Sequence, residues 1–373
     1  MNPPPDDAPT ATPPAVELSG IWKRFPGVVA NAGANLTVRT GTVHAVLGEN
    51  GAGKSTLMNV LSGVYRPDEG EVRIDGVVHH FRSPSDALAA GVGMVHQEFR
   101  LVPSFTVAEN VVLGAEPRRR GLIDRKAARR DLEALGASYG LDVHPDDMVE
   151  TLEVGERQRV EIIKVLYRGA RVLILDEPTA VLVPQEVEEL FRNLRELKAQ
   201  GHTIIFIDHK LEEVLTIADT ITVLRQGRTV ATVDADGVTA QELAELMIGS
   251  DLPSPSVAPH VTDDHVTLSV SGVSVIGDDG REVLTDIDLT IHRGEILGIA
   301  GVEGNGQVEL VEALLGLRAL AAGGITLEGE SIGDWPVRRR REAGIGYVPE
   351  DRHRRGLLLD APLWENAMLG HQT

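Results

Sequence analysis

The feature of this sequence that restricts its fold most is an internal repeat. Adding 253 to a glycine number in the first half gives another glycine at seven positions without a gap, from Gly41 and Gly294 to Gly93 and Gly346. The tripeptide at 109–111 then recurs at 365–367, an offset of 256 that requires a three-residue insertion near 353–362. A repeat of this length predicts two copies of one domain, and 373 residues are enough for two cores.

The repeat also predicts the domain boundaries. Residues 1–15 are rich in proline and lack an apolar segment, so we expect a disordered leader and not a signal peptide. The first domain is predicted at 16–250, a Pro- and Ser-rich linker at 251–264, and the second domain at 265–373. Because only three residues follow Gly370, the match of Gly114, the second copy is expected to be partial, shortened and destabilised.

Composition excludes several classes of protein. A net charge of −20 argues against a general affinity for nucleic acid, so no nucleic-acid partner is expected. The absence of cysteine excludes disulfides and thiolate metal sites, which leaves oxygen and imidazole as metal ligands. No apolar run approaches the roughly 18 residues needed to cross a bilayer. We therefore expect a cytoplasmic protein whose membrane association, if any, is peripheral.

Short apolar segments alternate with helical patterns in the first half. Buried strands are predicted at 42–47, 171–176 and 203–208, and helices at 55–62, 185–199 and 210–217. This order predicts an α/β fold of P-loop type. A charged, helix-like stretch at about 115–168 interrupts the alternation and is interpreted as an inserted helical subdomain.

A complete P-loop lies between the first predicted strand and helix. Its phosphate-binding residues are Gly48, Glu49, Asn50, Gly51, Ala52, Gly53, Lys54, Ser55 and Thr56. Backbone amides and the helix N-terminus would face the phosphates, Lys54 would reach the β and γ phosphates, and Ser55 would ligate Mg²⁺. The motif predicts that the chain binds ATP with Mg²⁺.

Polar residues end the other predicted strands. Asp176 is a candidate Mg²⁺ ligand, and Glu177 is a candidate to orient or deprotonate the attacking water. His209 follows the strand at 203–208 and could hydrogen-bond a γ-phosphate. Gln97 could join the Mg²⁺ ligands or be an ordinary polar loop residue. The catalytic candidates are therefore Lys54, Glu177 and His209.

Phe25 and two arginine clusters lie outside these motifs. Phe25 could stack on adenine or could belong to the core. The arginine clusters at 118–120 and 338–341 are more typical of solvated helix faces, and we assign them no role.

These motifs, in this order, resemble the tandem ATP-binding subunits of bacterial ABC importers for simple sugars and nucleosides. The segments 173–186 and 208–215 look especially similar to the nucleoside-importing branch. The resemblance implies an ATPase with two head-to-tail domains, each ATP lying between the P-loop of one and the signature sequence of the other. It also implies polytopic membrane permease subunits as partners, an extracytoplasmic solute-binding protein indirectly, and a position on the inner face of the cell membrane.

The chain departs from the family pattern at two places. Where the family signature reads Leu-Ser-Gly-Gly-Gln, this sequence has Leu152, Glu153, Val154, Gly155 and Glu156, and a carboxylate at Glu153 would repel a phosphate. The second P-loop keeps Gly301, Gly304 and Gly306 but has Gln307 and Val308 in place of the lysine and the hydroxyl residue. In the family arrangement both defects fall in one composite site, which is predicted not to hydrolyse ATP.

Three functions remain open from the sequence. The first is the importer ATPase, whose intact site would need a signature from a second ATPase chain, from self-association or from a longer form of this chain. The second is an ABC ATPase without a transport role, of the translation or DNA-repair type, against which the short linker and acidic charge argue. The third is a nucleotide-binding fragment that does not hydrolyse ATP.

Overall fold

The computed structural model describes residues 13–96, 99–119, 121–249, 264–277, 280–301, 304–350 and 355–369. The chain divides into two compact units, Met1–Ser254 and Pro255–Thr373, called unit 1 and unit 2 below. Residues 251–263 of the predicted linker and 1–12 of the predicted leader lie outside the described residues. Ala15 is buried, and its carbonyl accepts a hydrogen bond from the amide of Asp75.

Unit 1 contains a mainly parallel sheet of six strands in the order β12-β11-β3-β10-β9-β6, whose outer pair β11 and β12 is antiparallel. Its strands are β3 (Val43–Leu47), β6 (Val92–Val95), β9 (Val172–Asp176), β10 (Thr203–Ile207), β11 (Thr220–Arg225) and β12 (Arg228–Asp234). Successive residues of β10 alternate between two apolar cores, so both faces of this sheet are covered. Three of these strands coincide with the three predicted from sequence.

A second sheet, which the sequence analysis did not predict, covers one face of the first. It is antiparallel, in the order β2-β1-β4-β5. Its strands are β1 (Val16–Phe25), β2 (Val28–Val38), β4 (Glu69–Ile74) and β5 (Val77–His79). Residues of β1, β2 and β4 share one apolar core with α1 (Lys54–Leu61), which begins directly after the P-loop.

The remaining helices of unit 1 follow the strands or lie in the insertion. They are α2 (Pro84–Ala89), α3 (Val107–Val112), α4 (Arg125–Tyr139), α5 (Val154–Tyr167), α6 (Pro184–Ala199), α7 (Leu211–Ile217) and α8 (Ala240–Ile248). The stretch 115–168 is not helical throughout. It opens with a hairpin of β7 (Arg118–Arg119) and β8 (Leu122–Ile123), and a 3-10 turn at Val149–Thr151 precedes α5.

Unit 2 repeats the beginning of unit 1. It has an antiparallel sheet of β13 (Val266–Ile276), β14 (Glu282–His292), β15 (Ala322–Leu327) and β16 (Glu330–Ser331). Its helices are α9 (Gln307–Leu315), α10 (Val337–Glu342) and α11 (Leu363–Met368). The side-chain amide of Asn110 donates to the carbonyls of residues 102, 105 and 106, and that of Asn366 donates to those of 358, 361 and 362. The offset of 256 found in the sequence therefore also relates equivalent hydrogen bonds in the two units.

The counterparts of β3 and β6 are not strands in unit 2. By the offset of 253 these are residues 296–300 and 345–348, which carry no strand assignment. Most of their apolar side chains are exposed, by 95% at Ile296 and 92% at Val348, whereas Ile345 is half-buried. In unit 1, β10 and β9 lie between β3 and β6, so the two segments have no neighbouring strand to pair with in the described part of unit 2.

Arg340 shows that the arginine cluster at 338–341 is not solvated throughout. Its side chain is buried, and the guanidinium donates to four carbonyls, those of Ala313, Leu314, Gly333 and Trp335. Two of these carbonyls, those of Ala313 and Leu314, belong to the last turn of α9, and the Ala313 carbonyl also accepts a hydrogen bond from the amide of Gly316. Arg340 therefore closes the C-terminal end of this helix, a role that we did not predict.

Candidate functional site

The sheet order brings the predicted site residues to one edge. Strands β3, β10 and β9 are neighbours and run parallel, so their carboxyl ends lie side by side. The P-loop follows β3, Asp176 ends β9, and His209 follows β10 by one residue. This edge is where ligands bind in open α/β sheets.

Two glycines of the P-loop are required by close backbone contacts. A Cβ on Gly48 would lie 2.4 Å from the carbonyl oxygen of Leu224. Gly53 has φ 98°, a left-handed conformation, and a Cβ there would lie 2.3 Å from the carbonyl oxygen of Ala30. The loop therefore fits tightly between β2 and the end of β11, with its amides at the start of α1.

Lys54 is held within the loop. Its ammonium group donates to the carbonyls of Gly48 (2.7 Å) and Glu49 (3.1 Å), and the side chain is buried. Burial lowers the pKa of Lys54, whereas the nearby carboxylates of Glu177, Asp176 and Asp208 oppose that shift. The cation and the three carboxylates thus belong to one electrostatic cluster.

The surroundings of Asp176 favour the binding of a cation. Burial raises the pKa of its carboxyl group, the neighbouring charge of Glu177 raises it further, and Lys54 opposes the increase. A divalent cation would stabilise the ionised form, and carboxylate and hydroxyl oxygens are ligands that Mg²⁺ accepts. Ser55 supplies an exposed hydroxyl in the first turn of α1. The residues present therefore fit Mg²⁺, while Gln97 lies outside the described residues.

Glu177 and His209 face each other. The Nδ1 atom of His209 lies 3.5 Å from the carboxylate of Glu177 and 3.7 Å from that of Asp208. Glu177 has φ 46°, an unusual conformation for a residue with a side chain, and its amide donates to the carbonyl of Ile207. The turn at Glu177 is thus hydrogen-bonded to the last residue of β10, two residues before His209.

Asp208 was not among the predicted site residues. Its carboxylate is buried and accepts hydrogen bonds from the Thr179 hydroxyl (2.9 Å) and from the backbone amides of His209 and Lys210. Lys210 in turn donates to the carbonyl of Thr179. This network joins the loop after Glu177 to the loop that carries His209. Thr179 and Asp208 are 29 residues apart, so only the strand order could have indicated their contact.

The degenerate signature forms the start of α5. Glu153 is the exposed N-cap, and its backbone amide donates to the carboxylate of Glu156. Leu152 is buried, Val154 opens the helix, and the amide of Gly155 donates to Glu186 of α6. Further along α5, the buried side chain of Gln158 donates to the carbonyl of Pro178, directly after Glu177.

The second P-loop has glycines in nearly the same backbone conformation as the first but lacks the lysine and the hydroxyl residue. Gly306 has φ 96° and ψ 5°, against 98° and 7° at Gly53, and both precede a helix. Gly304 also has a left-handed backbone conformation. A Cβ on Gly301 would lie 2.3 Å from the side-chain amide nitrogen of Gln307. Val308 is exposed. The loop shape is therefore retained although the cation and the hydroxyl are absent.

Phe25 lies at the end of β1 and is half-buried. Its ring packs edge-on against Tyr65 with 5.3 Å between centroids, and the ammonium group of Lys23 lies 5.6 Å from the ring. Stacking on adenine stays a prediction for this residue. Of the predicted Arg118–Arg120 cluster, Arg118 and Arg119 are exposed in the hairpin and Arg120 is not described.

Comparison with known proteins identifies a family and several relatives of similar sequence. The model of the ABC transporter family matches residues 32–180 and 284–366, one segment in each unit. The guanosine import ATP-binding protein NupO of Bacillus subtilis is 48% identical over 354 residues, which cover 95% of this chain and 69% of that protein. The ribose import ATP-binding protein RbsA 3 of Rubrobacter xylanophilus is 44% identical, over 95% of this chain and 71% of that protein.

Solved structures agree with the sequence relatives. The ATP-binding cassette MJ1267 in its ADP conformation, 26% identical, covers 64% of this chain and all of its own length with a TM-score of 0.56. The cbiO1 protein of Clostridium perfringens, part of an ABC transporter complex, is 28% identical and covers 62% of this chain and 93% of its own, with a TM-score of 0.55. No helix in the described ranges is long and apolar enough to cross a membrane. The chain belongs to the ABC transporter family, as an ATP-binding subunit with ATPase activity.

Proposed function

We propose that this chain couples MgATP hydrolysis to the uptake of a nucleoside or a simple sugar through separate membrane subunits. The observation that carries the proposal is the meeting of Lys54, Asp176, Glu177 and His209 at the carboxyl edge of three adjacent strands. Similar proteins are named for import of guanosine, nucleosides, ribose and glucose, which favours import over the translation or DNA-repair alternative. We place the chain on the inner face of the membrane, with permease subunits as partners and a solute-binding protein acting indirectly.

Each site residue has a proposed role. The P-loop amides and Lys54 bind the β and γ phosphates, and Phe25 stacks on adenine. Ser55, Asp176 and Gln97 would hold Mg²⁺, which supplies charge neutralisation at the phosphates when it is bound. Glu177 orients the attacking water and takes its proton. Because Nδ1 of His209 faces two carboxylates, Nε2 is the nitrogen left for a γ-phosphate oxygen.

We propose that unit 1 carries the hydrolytic machinery and that unit 2 does not. Gln307 supplies no charge and Val308 supplies no ligand for Mg²⁺, although the loop itself is formed. Glu153 adds an exposed carboxylate to the signature of unit 1, where a phosphate would be repelled. The hydrolytic site would then be completed by a signature from another ATPase domain, in a second chain, in a second copy, or in a longer form of this chain.

Steady-state hydrolysis of MgATP over a range of protein concentrations tests the enzymatic part of this proposal. Turnover that rises more than linearly with concentration would mean that a second copy supplies the missing signature and that Glu153 is tolerated there. The Glu177→Gln variant should bind MgATP normally and lose roughly 10² to 10⁴ in turnover. Normal ATP binding with no turnover, either alone or with membrane subunits, would instead favour the non-hydrolysing fragment.

The transport part needs a separate test. The chain should co-purify with a polytopic membrane protein, and vesicles containing both should take up labelled guanosine or ribose only with MgATP. Recovery solely with ribosomes or DNA, in a salt-sensitive and nucleotide-dependent manner, would contradict import. Uptake by vesicles that carry Glu177→Gln is the control and should be absent.

A further inference from the structure

Asn31 is a buried amide directly below the P-loop. It lies in β2 and is fully buried. Its Nδ2 donates to the carbonyl oxygen of Gly53 at 3.1 Å, while its Oδ1 has no hydrogen-bond partner in the described part of the chain. A buried acceptor without a partner destabilises the folded state, so stability alone does not explain an asparagine at this position.

The internal repeat supplies a comparison for this residue. Adding 253 to Asn31 gives Leu284, and adding it to Gly53 gives Gly306. The structure supports this alignment, because a Cβ on Gly53 meets the carbonyl of Ala30 and a Cβ on Gly306 meets that of Val283. The unit with Lys54 has an amide below its loop, and the unit with Gln307 has an apolar side chain there.

The Gly53 carbonyl determines the direction of a phosphate-binding amide. A trans peptide is planar, so its C=O and N–H groups point in opposite directions. Holding the Gly53 carbonyl towards β2 therefore aims the Lys54 amide away from the core, where the P-loop receives phosphate. The same carbonyl accepts the first helical hydrogen bond, from Leu57 at 2.9 Å. In unit 2 the Gly306 carbonyl accepts the equivalent bond from Leu310, but Leu284 offers no donor.

We propose that Asn31 is a positioning residue for the phosphate-binding loop of unit 1. By donating to the Gly53 carbonyl it fixes the peptide that carries the Lys54 amide and polarises that amide towards phosphate. The inference deepens the proposed ATP site and rests on it. Asn31 against Leu284 is a further difference between the units, beside those at Lys54 and Ser55.

The decisive variant gives unit 1 the residue of unit 2. In the full chain, Asn31→Leu removes both the Nδ2 donor and the unpartnered Oδ1, so the thermal unfolding midpoint should stay or rise. The dissociation constant for MgATP, measured by isothermal titration calorimetry, should nevertheless increase about fivefold. Asn31→Ala also removes the donor but leaves a cavity, so its midpoint should fall while its affinity for MgATP drops by a similar factor.

A matched control separates positioning from general loss of stability. Asn110 is also a buried asparagine, but unit 2 retains it as Asn366, and its hydrogen bonds hold a loop near α3. Asn110→Ala should lower the unfolding midpoint and leave the MgATP dissociation constant within twofold, at a temperature where it is folded. Folded Asn31 variants with unchanged affinity would overturn the inference and leave the ATP site intact. Failure of the unsubstituted chain to bind MgATP would overturn both.

Discussion

Lys54 and Gln307 occupy the same position in two loops whose preceding glycines have nearly the same backbone angles. The difference between the two P-loops therefore lies in their side chains, because the three glycines are kept and the other residues differ. Lys54 belongs to a cluster with three carboxylates, which keeps a desolvated cation beside the place where phosphate charge would arrive. Gln307 has a shorter side chain that carries no charge.

His44 gives unit 1 a pH-dependent stability. It is buried in β3 with Nε2 2.7 Å from the Thr222 hydroxyl, and burial, assisted by Arg39, lowers its pKa from 6.5 to about 4. Below about pH 6.5, His44 therefore becomes protonated in the unfolded chain but stays neutral in the folded chain until about pH 4. The stabilisation by neutral His44 should be lost as the pH falls from 6.5 to 4, to a total of about 3 kcal/mol.

Denaturant unfolding at pH 7 and pH 5 checks this prediction against His44→Gln, which cannot titrate. At pH 5 the wild-type chain should lose about 2 kcal/mol more than the variant does. Equal losses in the two proteins would show that His44 is not the group responsible.

Arg340 is expected to be essential for the stability of unit 2. Arg340→Leu would leave four carbonyls without their donor, at a cost of more than about 2 kcal/mol. The neighbouring Arg339 is exposed, stacks on Trp335 and pairs with Glu330, so Arg339→Leu should cost less than about 1 kcal/mol. Hydrogen exchange of the α9 amides measures both variants, and equal protection in the two would refute the role of Arg340.

At the scale of elements, a buried hydrogen bond ties α5 to the loop after Glu177. Gln158→Leu removes the donor to the Pro178 carbonyl, so the amides of the loop after Glu177 should exchange about tenfold faster. Gln200→Leu is a matched control, because its amide donates to the Ser138 carbonyl on an exposed part of the chain. Faster exchange near Glu177 in Gln200→Leu but not in Gln158→Leu would contradict a role of the Gln158 hydrogen bond in holding this loop.

Sequence analysis predicted the strands that form continuous apolar segments and missed the strands in which apolar and polar residues are mixed. β3, β9 and β10 are buried on both faces, so they appear as uninterrupted apolar segments. β1 and β2 are long, bulged and partly exposed, and their pairing is visible only in three dimensions. The hairpin at 118–123 was missed because its two strands have only two residues each.

The same reasoning explains which site residues could be found. Lys54, Asp176, Glu177 and His209 follow predicted strands and could be placed at one edge of a sheet. Asn31 and Asp208 act through contacts with residues 22 and 29 positions away in the sequence, and no sequence pattern indicates those contacts. Polar residues of that kind become visible only when burial and partners are known.

At the scale of the whole molecule, the two units differ in how completely their apolar segments are covered. In unit 2, residues 296–300 and 347–348 expose apolar side chains without strand partners in the described residues. Unpaired apolar segments of this kind favour association. Ile296→Lys with Val348→Lys should reduce concentration-dependent light scattering of this chain without changing its affinity for MgATP. Unchanged scattering would mean that these segments do not mediate association.

The stoichiometry of MgATP binding to the purified chain, measured by isothermal titration calorimetry, tests whether unit 1 alone binds the nucleotide. We expect one site per chain, lost in Lys54→Ala and unaffected by Gln307→Ala, because only the first P-loop has the cation and the hydroxyl. Two sites per chain, or binding that survives Lys54→Ala and disappears in Gln307→Ala, would contradict binding by unit 1 alone.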